Sequence, residues 1–418
     1  MTVKTLAPNR AENTMKTTRY AVALALSLPA LWGLGCSGDH AHAAGPTTLV
    51  ITVSGEDTAR AGYAFPPAAA EAVAFVDGWA LTFDHLIVSI GEVTLSGTPD
   101  LSPTDQSKTG AVVARARGPW VVDLAKKGAV VDPPLAVSSF RTAHGTAPAS
   151  GRGSAGDDAV RLVEFENLNV AGRDFDPTAR YALGFVQVPV AADAKRLAAT
   201  DAETGALIDE MKAAGATIAY VGKATWKGGA ACTSSDPAYD WGAVPKTVSF
   251  KFLLKAPVDL VNCQNSDLSG KPFDGEEKQR GVQVKMGQAN FNQITFHNDH
   301  AFWLTADHEA ALPFFDQIAA AARSDGSVTL DDLATLDPTA LKDKAGRNLP
   351  WRSCLASVPV REGTRRVDAN AFGVSFDATK GPKEALRNYA EVVTYVAAVQ
   401  GHFNDDGLCA VTRRYDSP

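Results

Sequence analysis

The feature that most constrains the fold is a succession of nine strand-like segments along the first three quarters of the chain. Apolar residues at every second position are typical of β-strands with one buried face. In the clearest segment, Val248, Phe250 and Phe252 alternate with polar residues. The pattern predicts a mainly β fold, an antiparallel β-sandwich. The segments are residues 47–54, 79–95, 120–124, 160–165, 181–190, 216–226, 247–254, 282–286 and 291–297.

The predicted sheet contains one irregular strand and one inserted helix. In segment 79–95 the apolar positions change from odd to even numbers, which predicts a β-bulge near Asp84-His85. Residues 201–214 carry early acidic residues and end before Gly215, which predicts an inserted helix.

Helical patterns are more frequent toward the C-terminus. Two of them cover residues 308–322 and 384–400, and Pro313 can delay the start of the first to its own position. We therefore expect a β-sandwich domain at 47–306 and a mixed helical C-terminal portion at 307–418 packed on it.

Cysteine usage predicts disulfides. Four cysteines follow Cys36, an even number that suits an oxidising compartment. Their order favours pairing the first with the second and the third with the fourth, which is one of three possible connectivities. A four-cysteine zinc site is the alternative, and the lack of any CxxC pair counts against it. The four residues are Cys232, Cys263, Cys354 and Cys409.

The N-terminal residues have the layout of a secretory signal. A cationic stretch begins at Met15, and the apolar residues 20–35 that follow are too few for a membrane span of roughly 20 residues. The segment resembles the lipoprotein signal family, in which a small residue, here Gly35, precedes a lipid-modified cysteine, here Cys36. Gly33 departs from the family's usual Leu. Cleavage after Ala43 is the alternative.

This resemblance implies a signal at 1–35, with the working start at Met15, and a tether at 36–46 anchored through Cys36. It places the protein in the cell envelope, in the inner or outer membrane, facing the periplasm or the cell surface, with the membrane as a partner through its lipid. A net charge of −7 argues against a nucleic-acid partner. A protein or glycan partner is left open.

A second resemblance concerns the strands themselves. The run from Gly78-Trp79 to Leu95, followed by Gly118-Pro-Trp-Val-Val-Asp-Leu124, resembles the opening strands of uncharacterised sandwich lipoproteins that bacteria export. It implies a β-sandwich and a surface role, and no reaction.

Three of the eight histidines, His297, His300 and His308, fall within twelve residues and are interleaved with Asp299. Imidazole suits zinc and copper, and a turn after a strand can bring ligands of this spacing together. These four residues are the predicted metal ligands. The alternative is that the histidines are structural and bond the backbone. His402 is a further candidate ligand, although its Asp- and Gly-rich neighbours favour a turn.

No familiar catalytic motif is complete. Leu312 stands where a zinc-protease helix needs its second histidine, and no nucleophile elbow occurs. Residues 324–333 resemble only the second half of a calcium-binding EF-hand loop, so a helix start at Thr329 to Asp332 is the better explanation.

These observations favour an exported, non-enzymatic lipoprotein that binds a transition metal, zinc or copper. One alternative is a surface module for a glycan, peptide or protein, with aromatic residues around Trp226, Tyr239 and Trp241. Another is a metal-dependent hydrolase in which Asp299 or Glu309 acts on a metal-bound water.

Overall fold

The computed structural model describes residues 45–69, 72–126, 159–197, 201–273, 278–380 and 385–414. The predicted signal at 1–35 and the lipid-attachment candidate Cys36 lie outside these residues. All the described residues belong to one compact unit, which combines residues of both predicted regions, 47–306 and 307–418. None of the described helices has the length and apolar character needed to cross a bilayer.

The fold is mainly β, as predicted. The strands are β1 (Thr48–Ser54), β2 (Trp79–Ser96), β3 (Val112–Asp123), β4 (Val160–Phe165), β5 (Arg180–Gln187), β6 (Lys195–Leu197), β7 (Ile218–Trp226), β8 (Thr233–Ser234), β9 (Thr247–Leu254), β10 (Val258–Val261), β11 (Val282–Gln283), β12 (Ala289–Phe296), β13 (Ser327–Thr329), β14 (Arg352–Ser353), β15 (Ser375–Phe376), β16 (Ala385–Leu386), β17 (Gly401–Phe403) and β18 (Ala410–Arg413). The helices are α1 (Glu56–Ala61), α2 (Ala202–Ala214), α3 (Asp316–Ala321), α4 (Leu330–Leu333) and α5 (Tyr389–Ala397), and the 3₁₀ turns are Trp241–Ala243, His300–Phe302, His308–Ala310 and Ala369–Phe372.

Two sheets carry most of the strands. The larger follows the order β13-β9-β7-β2-β5-β10-β18, with β3, β6 and β11 attached, and the smaller follows β17-β12-β1-β4. Most neighbouring strands are antiparallel, but β1 and β12 are parallel. Apolar side chains of both sheets belong to one hydrophobic core, in which the rings of Phe185 and Phe296 lie 6.3 Å apart.

The predicted bulge in β2 is confirmed. The pairing of β2 with β7 shifts its register between Phe83 and His85. The extra residue there lets Phe83 and Leu86, which differ in parity, both face the core, since both are buried.

The helix predicted over 308–322 is present only in its second half, as α3 at Asp316–Ala321, and its predicted start is wrong. His308 lies in a 3₁₀ turn, and α3 begins only at Asp316, three residues after Pro313. Pro313 pairs in an isolated bridge with Trp303, so the backbone is extended where the helix was expected. Asp77 Oδ2 then accepts the first backbone N–H groups of α3, from Phe315 at 2.9 Å and Asp316 at 2.8 Å.

The other two predictions for the C-terminal portion agree more closely with the structure. The helix predicted over 384–400 is present as the shorter α5, capped by Asn388. The helix start predicted at Thr329 to Asp332 is confirmed, because Thr329 and Asp332 form a reciprocal capping box. This C-terminal portion also contributes β13, β17 and β18 to the two sheets.

The cysteine pairing favoured by chain order is wrong. The disulfides join Cys232 to Cys354 and Cys263 to Cys409. Strand pairing explains both, because β8 pairs with β14 beside the first bond and β10 pairs with β18 beside the second. Two disulfides indicate an oxidising compartment.

Candidate metal centre

The site forms where the two parallel strands of the smaller sheet end. β1 and β12 are in register with Ser54 opposite Thr295. Glu56 and His297 each follow these residues by two positions, so parallel pairing brings them to the same edge of the sheet. The His297 Nε2 atom lies 3.3 Å from Glu56 Oε1.

Glu56 occupies this edge in an unusual conformation. Its φ angle is 61°, a left-handed value that is uncommon for a residue other than glycine, and its side chain is buried. Asn298 holds the adjacent turn, since its Nδ2 donates to Gly55 O at 3.0 Å and to Thr58 Oγ1 at 3.1 Å. Non-glycine residues with positive φ persist where the surrounding structure enforces them, and they occur often at functional sites.

Three buried histidines meet beside this edge. His297 follows β12, His300 opens a 3₁₀ turn, and His402 is the middle residue of β17. Because β17 pairs with β12 with His402 opposite Thr295, it comes close to the segment that follows β12. One ring nitrogen from each histidine lies within 4.8 Å of the other two, which is a spacing from which three nitrogens can surround one metal ion.

His308 adds a fourth imidazole. Its Nε2 lies 3.3 Å from His402 Nε2, and its ring centroid lies 5.1 Å from that of His300. Ligand nitrogens in a tetrahedral zinc site are about 3.4 Å apart, as follows from zinc–nitrogen distances of roughly 2.0–2.1 Å. The distance between His308 and His402 therefore fits a shared metal ion.

Neighbouring groups fix the orientation of two rings. His300 packs on the indole of Trp303 with ring centroids 3.7 Å apart. Asp299 Oδ2 accepts the Trp303 Nε1 hydrogen at 3.1 Å. His297 Nε2 lies 3.1 Å from Asp405 O, the kind of contact through which a metal-binding histidine commonly orients its other nitrogen toward the ion.

The turn after β17 brings in a second carboxylate. Asn404 and Asp405 both have positive φ angles, 48° and 78°. Asn404 anchors the turn, with its Nδ2 2.9 Å from Oδ1 of both Asn265 and Asn292. Gly407 closes it, since a Cβ there would lie 2.0 Å from Gln264 O.

The carboxyl of Asp405 is in an environment that disfavours its charge. Burial raises the pKa of Asp405 to about 7, and the carboxylates of Asp406 and Glu56 add to this rise, whereas His297 opposes it. Glu56, His297 and Asp405 place one ligand atom each within 4.8 Å of one another. His297 thus belongs to two adjoining groups of ligand atoms.

A cavity of about 260 Å³ reaches the histidines from one side. His308 and His402 line it together with Gln106, Gln264 and Cys409. A metal site needs an entry path for the ion, and this cavity supplies one beside the Cys263–Cys409 disulfide.

The structure brings together three of the four predicted ligands. His297, His300 and His308 meet, whereas Asp299 bonds Trp303 and joins neither group of ligand atoms found among the described residues. His402 was weighed as a ligand from the sequence and lies at the centre of the cluster. Glu56 and Asp405 were not singled out, and nothing local in their sequence marks them as site residues.

His85 and the predicted aromatic platform lie apart from the cluster. His85 Nδ1 is 2.6 Å from Asp123 Oδ2, in a buried pair between β2 and β3. Of the proposed aromatic platform, Tyr239 is buried, and the Arg352 guanidinium packs over Trp241 at 3.9 Å and over Trp226 at 4.7 Å. The side chain of Glu309 lies outside what the structure describes.

Comparison of the chain with protein-family models, with curated proteins and with solved structures finds no match in any of the three.

Proposed function

We propose that this protein binds a transition metal through His297, His300, His402 and His308. One observation carries the proposal: four imidazoles from three separate segments converge at the end of a parallel strand pair. Three of the four imidazoles are buried. Three ring nitrogens that lie within 4.8 Å of one another offer a single metal ion three ligands at once.

The ligand set indicates the class of metal. Neutral imidazole nitrogens suit zinc and copper, whereas calcium and magnesium prefer oxygen ligands. Four imidazoles around one ion would close a structural or storage site. Three would leave one position for an exogenous ligand, with the cavity beside His308 and His402 in the right place to admit it.

The test is the metal content of the purified full chain, measured by plasma mass spectrometry after dialysis. We expect near-stoichiometric zinc or copper in the wild type and its loss in His300→Gln and in His402→Gln. His85→Gln is the matched control, because it also removes a buried histidine but lies in a separate pair with Asp123. A metal-free wild type, or equal content in all variants, would overturn the proposal.

Metal-dependent hydrolysis is the second candidate, and the cavity at His308 and His402 favours it because a catalytic metal needs an open position. Cleavage of p-nitrophenyl esters and phosphates by the zinc-loaded protein, absent in His300→Gln, would support it. A glycan- or peptide-binding module has less support, since the aromatic residues near Arg352 are buried or half-buried.

We also propose that the chain is exported, anchored through a lipid on Cys36 and folded as a sandwich of its two sheets. The disulfides support export, and the core shared by Phe185 and Phe296 supports the sandwich. Incorporation of labelled fatty acid, abolished by Cys36→Ser, tests the anchor. Labelling that persists in Cys36→Ser would contradict it.

A further inference from the structure

Two carboxylates meet on one side of the His297 ring. Glu56 Oε1 lies 3.3 Å from His297 Nε2, and Asp405 is close enough to both for its carboxyl to form a compact group with them. We infer that Glu56, His297 and Asp405 bind a second divalent cation next to the histidine-bound ion. This inference rests on the proposed function, because His297 takes part in both sites.

The burial of Glu56 is the first argument. Its side chain is only 3 % exposed, and Oε1 accepts no hydrogen bond among the described residues although the His297 ring is nearby. A buried carboxylate oxygen without a hydrogen bond is costly, because it has lost its water and gained little in return. A cation coordinated by this oxygen would remove that cost.

The balance of charge is the second argument. His297 Nε2 lies 3.3 Å from Glu56 Oε1 and 4.0 Å from Asp406 Oδ1, and Asp405 forms a compact group with Glu56 and the same ring. Three carboxyls around one imidazole leave an excess of negative charge among these four groups. A divalent cation would neutralise it.

The conformation of the backbone is the third argument. Glu56 and Asp405, from segments about 350 residues apart in the sequence, both have left-handed φ angles, 61° and 78°. Such an angle is uncommon at a residue other than glycine. Both distortions occur at carboxylates directed to the same ring, as expected where the fold positions ligands.

His297 can take part in both metal sites because its ring has two nitrogens. Nε2 is the nitrogen near Glu56, so Nδ1 is the one assigned to the ion held with His300 and His402. In the metal-free protein Nε2 donates to Asp405 O, and this proton is released when the second ion binds, which makes His297 an imidazolate that coordinates through both nitrogens. One ion then lies on each side of a shared imidazole. Two carboxylate oxygens and one imidazole suit zinc or manganese.

The experiment titrates the metal-free full chain with zinc by calorimetry and checks bound metal by plasma mass spectrometry. We expect about two equivalents in the wild type and a loss of one equivalent in Glu56→Gln and in Asp405→Asn. Asparagine tolerates a left-handed φ, so the second substitution removes the charge without disturbing the turn. His300→Gln should also lose one equivalent and keep the other.

Asp57→Asn is the matched control, because it removes an exposed carboxylate from the same helix and should keep both equivalents. A different result would overturn the second site and leave the proposed function intact: the wild type binds one equivalent of zinc, Glu56→Gln and Asp405→Asn keep it, and His300→Gln loses it. One equivalent lost in Glu56→Gln but kept in His300→Gln would overturn the histidine site instead. Zinc binding unchanged in all four variants would overturn both.

Discussion

Two buried polar clusters in this molecule differ in how their charges are balanced. The arginine network comprises Asp77, Asp316, Arg352 and Arg365, and the histidine cluster comprises His297, His300, His308 and His402 with the neighbouring Glu56 and Asp405. In the first, two carboxylates face two guanidinium groups. In the second, two carboxylates face imidazoles, which are weak bases. The arginine network therefore balances its charges with its own residues, whereas the histidine cluster is suited to an added cation.

Contacts within the arginine network pair each guanidinium group with a carboxylate. Arg365 Nη1 donates to Asp77 Oδ2 at 2.9 Å, and its Nη2 lies 3.3 Å from Asp316 Oδ2. Arg352 Nε donates to Asp316 Oδ2 at 3.0 Å, and Trp79 Nε1 donates to Asp316 Oδ1 at 2.8 Å. The network joins β2, α3 and β14, so its role is to hold the C-terminal segments on the larger sheet.

The largest effect should come from breaking the arginine network. Arg365→Met leaves Asp77 and Asp316 buried with less compensation, which should lower the free energy of unfolding by about 3–5 kcal/mol. Urea denaturation measures the loss. Zinc content per folded chain should be unchanged, and a parallel loss of zinc would show that the two clusters are not independent.

The two disulfides offer a second way to compare the arginine network with the histidine cluster, because each disulfide lies beside one of them. Removing Cys263–Cys409 by double serine substitution should lower the free energy of unfolding by about 2–4 kcal/mol and also weaken zinc binding, since this bond pins the turn that carries Asp405. Removing Cys232–Cys354, two residues from Arg352, should cost similar stability and spare zinc affinity. Equal zinc affinities in the two double variants would contradict this.

The arginine network should also give the stability a pH dependence. Burial and the neighbouring Asp316 raise the pKa of Asp77 from 3.8 to about 6, against the opposing effect of Arg365. The folded state therefore holds this proton more tightly than the unfolded chain, so this contribution to the free energy of unfolding is complete below about pH 4 and is lost as pH rises to about 6. Asp77→Asn should flatten that decline.

Urea denaturation between about pH 4 and 7, with a chelator present to remove metal, measures this slope. Asp57→Asn, which alters an exposed carboxylate, is the control and should keep the wild-type slope. A slope of the wild-type size in Asp77→Asn would show that Asp77 does not cause it.

The smallest effect should come from His308. It is half-buried and lines the cavity, unlike the three buried histidines. We expect His308→Ala to weaken zinc binding on the order of tenfold without abolishing it. Calorimetric titration of zinc measures the change, and a complete loss of binding would place His308 among the indispensable ligands.

Sequence reasoning succeeded where the signal was local. The strands were predicted because the alternation of apolar and polar residues indicates which face of a strand is buried. The bulge in β2 was predicted because the apolar positions change from odd to even numbers at Asp84-His85. His297, His300 and His308 were found together because they are close in sequence. The helix predicted over 308–322 starts late, at Asp316, because Pro313 pairs with Trp303 in an extended backbone and because Asp77, distant in sequence, caps α3.

What the sequence could not show depends on pairing between distant strands. His402 reaches the cluster through β17 beside β12, and Glu56 reaches it because β1 and β12 are parallel, a choice that alternation does not reveal. The disulfides were mispaired for the same reason. The pairing of β10 with β18 brings Cys263 to Cys409, and the order of the cysteines along the chain does not reveal that pairing.

The most direct test of the metal centre is an anomalous difference map from crystals of the full chain grown with zinc, measured on both sides of the zinc absorption edge. We predict a peak enclosed by His297, His300 and His402 that disappears below the edge. Crystals in which these three imidazoles are ordered and no peak lies among them would contradict the account.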